Sequence, residues 1–418
     1  MTPRERVRAV LDGKRADRIP NGLGATINTG MHLLAYKRLA RICDVEDTAP
    51  RMMSFEADAI PSLPFLRAVE ADMVSLGIKI TPARFWGPGA EAQWKEATLW
   101  GTRVRLPTQW DLSTDAAGDS WIDGFQWDSL GFNVPLQKAG CRLLCPRGGV
   151  HFDPVALPDS PPPEDASPDD YHPPTDFPDE MLRSIEESAR WLYENTPYSI
   201  VCDEMINDFQ LTPGGQELWW MRMLTAPREV HEFLDKACEA ALCQLRLVDQ
   251  AVGKYADMHL IAHDFGDLRG VTMGPDLWRE IFKPHFRKLF GEWQRITRMK
   301  VSMHCCGSIS AILDDLVECG LQVLNPVQVS AANMDPSALK ERYAGKLVFY
   351  GGSFDAVALP VNTPASEVRA ATARNIRALS RGGGYIFAAV HNIQANVPDA
   401  HLKAIVEAFR DCRDDIEP

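Results

Sequence analysis

The feature that most constrains the fold begins near residue 198. From there short apolar runs alternate with helical stretches. The runs are YSIVCD, ADMHLIAHD, RMKVSMHCC, LQVLNPV, KLVFYGG and GYIFAAVH. Between them lie helical patterns at 216–224 with 227–254, 276–296, 308–319, 336–343 and 364–381, and a last one follows at 398–412. Such alternation implies parallel strands covered by helices. Each run is apolar on successive residues, as expected of strands buried on both faces. At least six units are visible, and the first half of the chain has room for two more. The expected fold is α/β, a distorted (β/α)8 TIM barrel with an open doubly wound sheet as the alternative. No Rossmann fingerprint supports the alternative. RGGGYIF sets its glycines between a helix end and a strand, the reverse of the strand–glycine–helix order that cradles a pyrophosphate.

The first half is less regular. Thr2 is placed to cap a helix that starts at Pro3, with Glu5 completing a capping box. TLWGTRVRLP and SWIDGFQWDSLGFNVP alternate aromatic or β-branched residues with polar ones, which predicts inserted hairpins within 86–135, outside any parallel sheet. Residues 151–180 are rich in Pro and Asp and cannot hold a regular helix or a central strand, so they read as a surface excursion. MLRSIEESARWLYENT then predicts an amphipathic helix over 181–196. The whole, 1–418, is expected as one barrel domain with 1–60 as an N-terminal extension.

The net charge of −13 argues against a general nucleic-acid binder, which needs a basic face. No apolar run approaches the ~18 residues that cross a bilayer, and the N-terminus has no apolar signal core. The ten cysteines are irregularly spaced, without paired CxxC motifs, as expected of reduced thiols in a cytoplasmic protein.

In barrels of this kind the active site sits at the C-terminal strand ends. There the sequence places Asp203-Glu204, His263-Asp264 with Asp267, His304-Cys305-Cys306, Asn325, Gln328, and His391-Asn392 with Gln394. Strand alternation sends His304 and Cys306 to one side and Cys305 to the other. An imidazole and a thiolate aimed at one point suit zinc. His391, at the end of the last apolar run, is the best third ligand, and three ligands leave a position open for substrate. The alternative is a core cysteine beside a hydrogen-bonded histidine. Asp264 and Asp267 read as an acid/base pair, as helix caps, or as groups that orient a ligand. Glu204 is a candidate fourth oxygen ligand. Cys141 and Cys145 read as core thiols, with metal binding as the alternative. Arg269 reads as a solvated arginine, with anion binding as the alternative.

Four stretches carry a family likeness: TPRERVRAVLDGKRADRIP, HDFGDLRG with GPDLWREIFKPHFRKL, HCCGSISAILDDLVECGLQVLNPVQ and GGGYIFAAVHNIQANVP. Together they resemble the uroporphyrinogen decarboxylase superfamily, most closely its corrinoid-dependent methyltransferase branch. The likeness covers 1–45 and about 198–412. It implies a distorted barrel and a zinc ion held by an HxC pair and a third cysteine. His304 and Cys306 match the pair, and His391 stands where that cysteine would be. Imidazole in place of thiolate lowers the negative charge around the metal, which favours polarising an ether over activating a thiol. The resemblance implies a methyltransferase that moves a methyl group from a small methylated substrate to the cobalt of a corrinoid. No corrinoid-binding DxHxxG motif occurs, since Asp257-Met258-His259 continues as LIA, so the corrinoid is expected on a separate partner protein. Asp264 and Glu204 are the expected catalytic or outer-shell carboxylates, and Asn392, Gln394 and Asn325 the expected substrate contacts. A homodimer is compatible with this reading. Two alternatives stand beside it, a tetrapyrrole decarboxylase and a non-catalytic corrinoid or tetrapyrrole carrier. The decarboxylase reading suffers because RIPNGLGATINTGMH has no arginine after Arg18 to grip a poly-acid.

Overall fold

The computed structural model describes residues 1–78, 83–124, 141–156, 167–206, 209 and 215–415. Seven parallel strands form one curled sheet in sequential order. They are β1 (Met73–Ile78), β2 (Ser199–Asp203), β3 (Met258–Ala262), β4 (Lys300–His304), β5 (Val323–Asn325), β6 (Val348–Tyr350) and β7 (Tyr385–Ile386). All six strands expected after residue 198 are present, and β1 comes from the first half.

The eighth place is filled by the N-terminal segment rather than by a regular strand. Phe387, just past β7, donates its N–H to Pro20 O and accepts from Gly22 N. On the other side Asp72, just before β1, donates to Asn21 O. The Asp72 carboxylate accepts the Asn21 N–H at 2.7 Å and is paired with Arg6 and Arg18. The N-terminal region is therefore part of the ring and not only an extension to it.

One inward residue from each of six strands packs at the N-terminal end of the barrel: Met73, Val201, Met258, Val323, Val348 and Ile386. The helix Pro3–Leu11 closes that end with Val7, Val10 and Leu11. Its capping box forms as expected, Thr2 Oγ1 accepting from Glu5 N and Glu5 accepting from Thr2 N. Two residues further along, the inward direction returns, and on three strands the side chains become polar: Asp203 on β2, Ser302 and then His304 on β4, and Asn325 on β5, while Leu260 on β3 and Ala388 after β7 stay apolar. The barrel is dry at one end and polar at the other.

Helices cover the outside. The segment expected as one helix over 276–296 is two, Pro275–Ile281 and Lys283–Ile296. Pro284 has no N–H to continue the first, and it sits in the first turn of the second. The helix expected over 308–319 is shorter, Leu313–Cys319, because Ser308 is tied into loops by Asp267 O and Ala332 O. Two four-stranded sheets lie apart from the parallel one. The first joins Arg51–Met52, Ala59–Ile60, Trp94–Leu99 and Thr102–Pro107. The second joins Asp111–Thr114, Ser120–Asp123, Cys141–Cys145 and Asp153–Ala156. Pro154 is tolerated because its strand is at an edge. Part of the expected hairpin region (125–140), part of the Pro/Asp-rich excursion (157–166) and the Cys141 side chain lie outside the described residues. No helix among the described residues is long and apolar enough to cross a membrane.

Candidate metal centre

β4 ends on His304 and the chain turns sharply. Cys305 N donates to Asn325 O, and Cys306 N donates to Asp264 Oδ1 at 2.9 Å. Gly307 follows at φ +78°, where a Cβ would lie 2.4 Å from the Gly266 backbone, so only glycine fits. The turn brings Cys306 Sγ to 3.2 Å from His304 Nε2. His391 arrives from the segment after β7, its ring centroid 5.3 Å from that of His304 and the planes at 77°. One ligand atom from each of His304, Cys306 and His391 lies within 4.8 Å of the other two. Atoms bound to one tetrahedral zinc at ~2.0–2.3 Å sit roughly 3.3–3.8 Å apart; the His304–Cys306 pair is near that spacing, and the set as a whole is up to about 1 Å wider than it. Among the described residues no other cluster of this kind occurs.

The histidines are oriented alike. His304 Nδ1 meets Asn325 Oδ1 at 2.7 Å, while Asn325 Nδ2 donates to Tyr350 O at 3.0 Å. Because the amide nitrogen is committed, Asn325 Oδ1 must accept, and His304 carries its proton on Nδ1. Nε2 is left with its lone pair, facing Cys306. His391 Nδ1 meets Asn392 Oδ1 in the same way. Asn392 Nδ2 donates to Glu56 Oε2 at 2.9 Å and to both Asp58 oxygens at 3.2 and 3.3 Å. Gln394 Nε2 donates to Asn392 Oδ1 at 2.6 Å. Both imidazoles thus present a metal-ready nitrogen held from behind, as zinc-binding histidines do.

Burial, with the neighbouring His391, pushes the His304 imidazolium down to about 4, so the ring is neutral at physiological pH. Burial, with Asp264 beside it, pushes the Cys306 thiol up. A divalent cation reverses that preference and takes the thiolate.

The other expected residues divide. Asn325 is fully buried with both amide atoms engaged, so it orients His304 rather than facing a substrate. Asn392 and Gln394 lie behind His391 in the same sense. Asp264 is exposed and holds the Cys306 backbone. Asp267 is separate, its carboxylate taken by Arg269 and by the N–H groups of Arg269 and Gly270, so no Asp264–Asp267 carboxylate pair forms. Glu204 stands outside the three-residue cluster, at φ +48°, accepting from Asn28 Nδ2 at 3.1 Å. Cys202, Cys305 and Cys319 are buried thiols. Sequence reasoning missed Glu56 and Asp58, which come from the short loop before Ala59–Ile60. Their only sequence signal was two acids spaced i,i+2 in an otherwise apolar stretch. Burial, with Glu56 next to it, holds the Asp58 carboxyl well above the usual carboxylate range.

Residues 212–412 match the model of the uroporphyrinogen decarboxylase (URO-D) family. The fold is similar to that of a solved methyltransferase from Methanosarcina mazei, with a TM-score of 0.59 and 15% identity. That likeness spans 98% of this chain and 99% of the other. No curated protein matches this chain in sequence. The family match agrees with the superfamily resemblance carried by the sequence motifs, and the structural likeness agrees with the fold expected from it.

Proposed function

We propose that this chain, whose C-terminal half matches the uroporphyrinogen decarboxylase family, is a zinc-dependent methyltransferase. It moves a methyl group from a small O-methylated substrate to the cobalt of a corrinoid held by a separate protein. One observation carries the reading: two imidazoles and one thiol converge at the polar end of the barrel, each imidazole with its lone-pair nitrogen fixed by an asparagine. Similarity in fold to a methyltransferase gives it further support. His304, Cys306 and His391 would hold the zinc. Bound there, zinc supplies Lewis-acid stabilisation of the oxygen that loses its methyl group.

The chain's own residues do the rest. Asp264 fixes the turn that presents Cys306. Asn325 and Asn392 keep both imidazoles aimed, each holding an Nδ1 against its side-chain oxygen. The closed N-terminal end keeps water from entering beneath the site. The methyl group leaves without its bonding electrons, which stay on oxygen, and the resulting alkoxide or phenolate takes a proton at the rim, where Glu204 and Asp264 stand. Alignment of donor and acceptor in one pocket makes the transfer effectively unimolecular.

The poly-acid decarboxylase reading is weaker on this structure. Arg18, the last N-terminal arginine before the rim, is spent on Asp72 and Glu70 O. Elemental analysis of the purified protein tests the proposal. About one zinc per chain is expected, lost on replacing His304, Cys306 or His391 with alanine, together with cobalt methylation from a methoxyarene in the presence of a Co(I) corrinoid protein. A metal-free protein that binds a corrinoid tightly would favour the carrier instead.

A further inference from the structure

A cavity of about 400 Å³ opens between the helix Pro3–Leu11 and the starts of β3, β4 and β5. Arg8, Asp12, Asp257, Arg298, Lys300 and Gln322 are among the residues that line it. It lies at the closed end of the barrel, and the length of β4 separates Lys300 from His304. It is therefore distinct from the metal centre.

Its carboxylates are already engaged. Asp257 is buried; its Oδ1 accepts from Arg8 Nε at 2.7 Å and its Oδ2 from Ser199 Oγ at 2.8 Å. Arg298 stands 3.6 Å from the same Oδ1 while donating to Gly253 O and Lys254 O. Asp12 pairs with Lys300 at 3.2 Å. Arg4, within electrostatic reach of Asp257, spends its donors on the carbonyls of Tyr193, Thr196 and Tyr198 rather than on an acid. Around the cavity Arg4, Arg8, Arg298 and Lys300 thus outnumber Asp12 and Asp257, in a chain whose net charge is −13. The Arg8 and Lys300 side chains are only 34% and 25% exposed, so water and salt screen their charge in part.

Donors are also left over. Gln322 Oε1 accepts the Val301 N–H at 3.0 Å, and the Gln322 amide nitrogen has no partner among the described residues. Thr297 Oγ1, on the same cavity wall, accepts from Met299 N at 3.1 Å, which leaves its hydroxyl proton to donate.

We propose that this cavity is a binding site for a small phosphate-bearing anion, held between the helix Pro3–Leu11 and the strand starts. Donors that come from a helix, a loop and two strand starts suit a tetrahedral oxyanion, which has acceptor oxygens on several sides, better than a planar carboxylate. The volume lies within the roughly 300–1,000 Å³ of small-molecule sites, so a phosphate monoester fits as well as the free anion. Bound there, the anion ties Arg8 of the helix to Lys300 and Gln322 of the barrel. The site does not depend on the zinc reading.

Calorimetric titration of the full-length protein with inorganic phosphate, and separately with glycerol 3-phosphate, tests this at fixed ionic strength with chloride as the reference anion. Wild type is compared with Lys300→Gln and Gln322→Glu. The second keeps an acceptor for Val301 N and removes only the donor, and thermal unfolding in chloride reports that each variant folds. Saturable binding to a single site is expected in wild type, with affinity at least about tenfold weaker in both variants. Tighter binding of glycerol 3-phosphate assigns the site to a phosphate monoester, and tighter binding of phosphate assigns it to the free anion. No saturable binding of either probe, or equal affinity in wild type and both folded variants, overturns the proposal.

Discussion

Asn325 and Asn392 stand behind the two imidazoles in the same way, each lending its side-chain oxygen to an Nδ1–H. Removing such a support leaves the ligand in place but free to turn and to change tautomer. Asn325→Ala is therefore expected to weaken zinc binding about 10–100-fold, measured by competition with a chromophoric chelator, while the fold is retained by circular dichroism. Zinc affinity equal to wild type would show that Asn325 is only a packing residue. The three candidate ligands were readable in the sequence because each follows an apolar run, and the barrel rule converts that position into a place on one rim. The asparagines were readable only as polar rim residues. Whether such a residue faces substrate or a ligand's back depends on the partner of its amide nitrogen, here Tyr350 O and the Glu56–Asp58 pair. Those contacts join segments far apart in the chain and leave no local pattern.

At the level of elements, β2 to β7 were legible because doubly buried strands are apolar on consecutive residues. Helix ends were less so. The break at Phe282 followed from Pro284, and the late start at Leu313 from side-chain bonds that compete with helix. One helix carries an unexpected burden. Lys340, in Pro336–Tyr343, is 4% exposed, donates to Gly383 O and lies 5.8 Å above the Phe349 ring. Burial pushes its ammonium down to about 8 from the usual 10.5. A base depressed on folding destabilises the native state while it is charged. That penalty is whole below pH 8 and fades as pH rises toward 10.5. Urea unfolding of wild type should show this contribution to stability increasing from pH 8 to 10. Lys340→Met should be more stable at pH 7 by about 1–3 kcal/mol and should lose that pH dependence. A destabilised variant would mean that the bond to Gly383 outweighs the cost of the buried charge.

For the molecule as a whole, the decisive join is the one between its ends. Pro20–Gly22 lies between β7 and β1, and no sequence pattern marks three residues as a barrel member. What fixes them is Asp72, fully buried, bonded to Asn21 N and paired with Arg6 and Arg18. Asp72→Ala leaves Arg18 without its anion, Arg6 with Asp17 alone and the Asn21 N–H unpaired, and is expected to cost about 3–5 kcal/mol in equilibrium denaturation. A loss under about 1 kcal/mol would mean the ring closes without it. The helix Pro3–Leu11, stoppering the far end of the same ring, has a consequence for traffic. A flask has a single neck. On the proposed methyl transfer, the donor enters through it and the acceptor reaches down the same passage behind it. The demethylated product would then lie beneath its visitor, so that each turnover waits for the larger guest to step away.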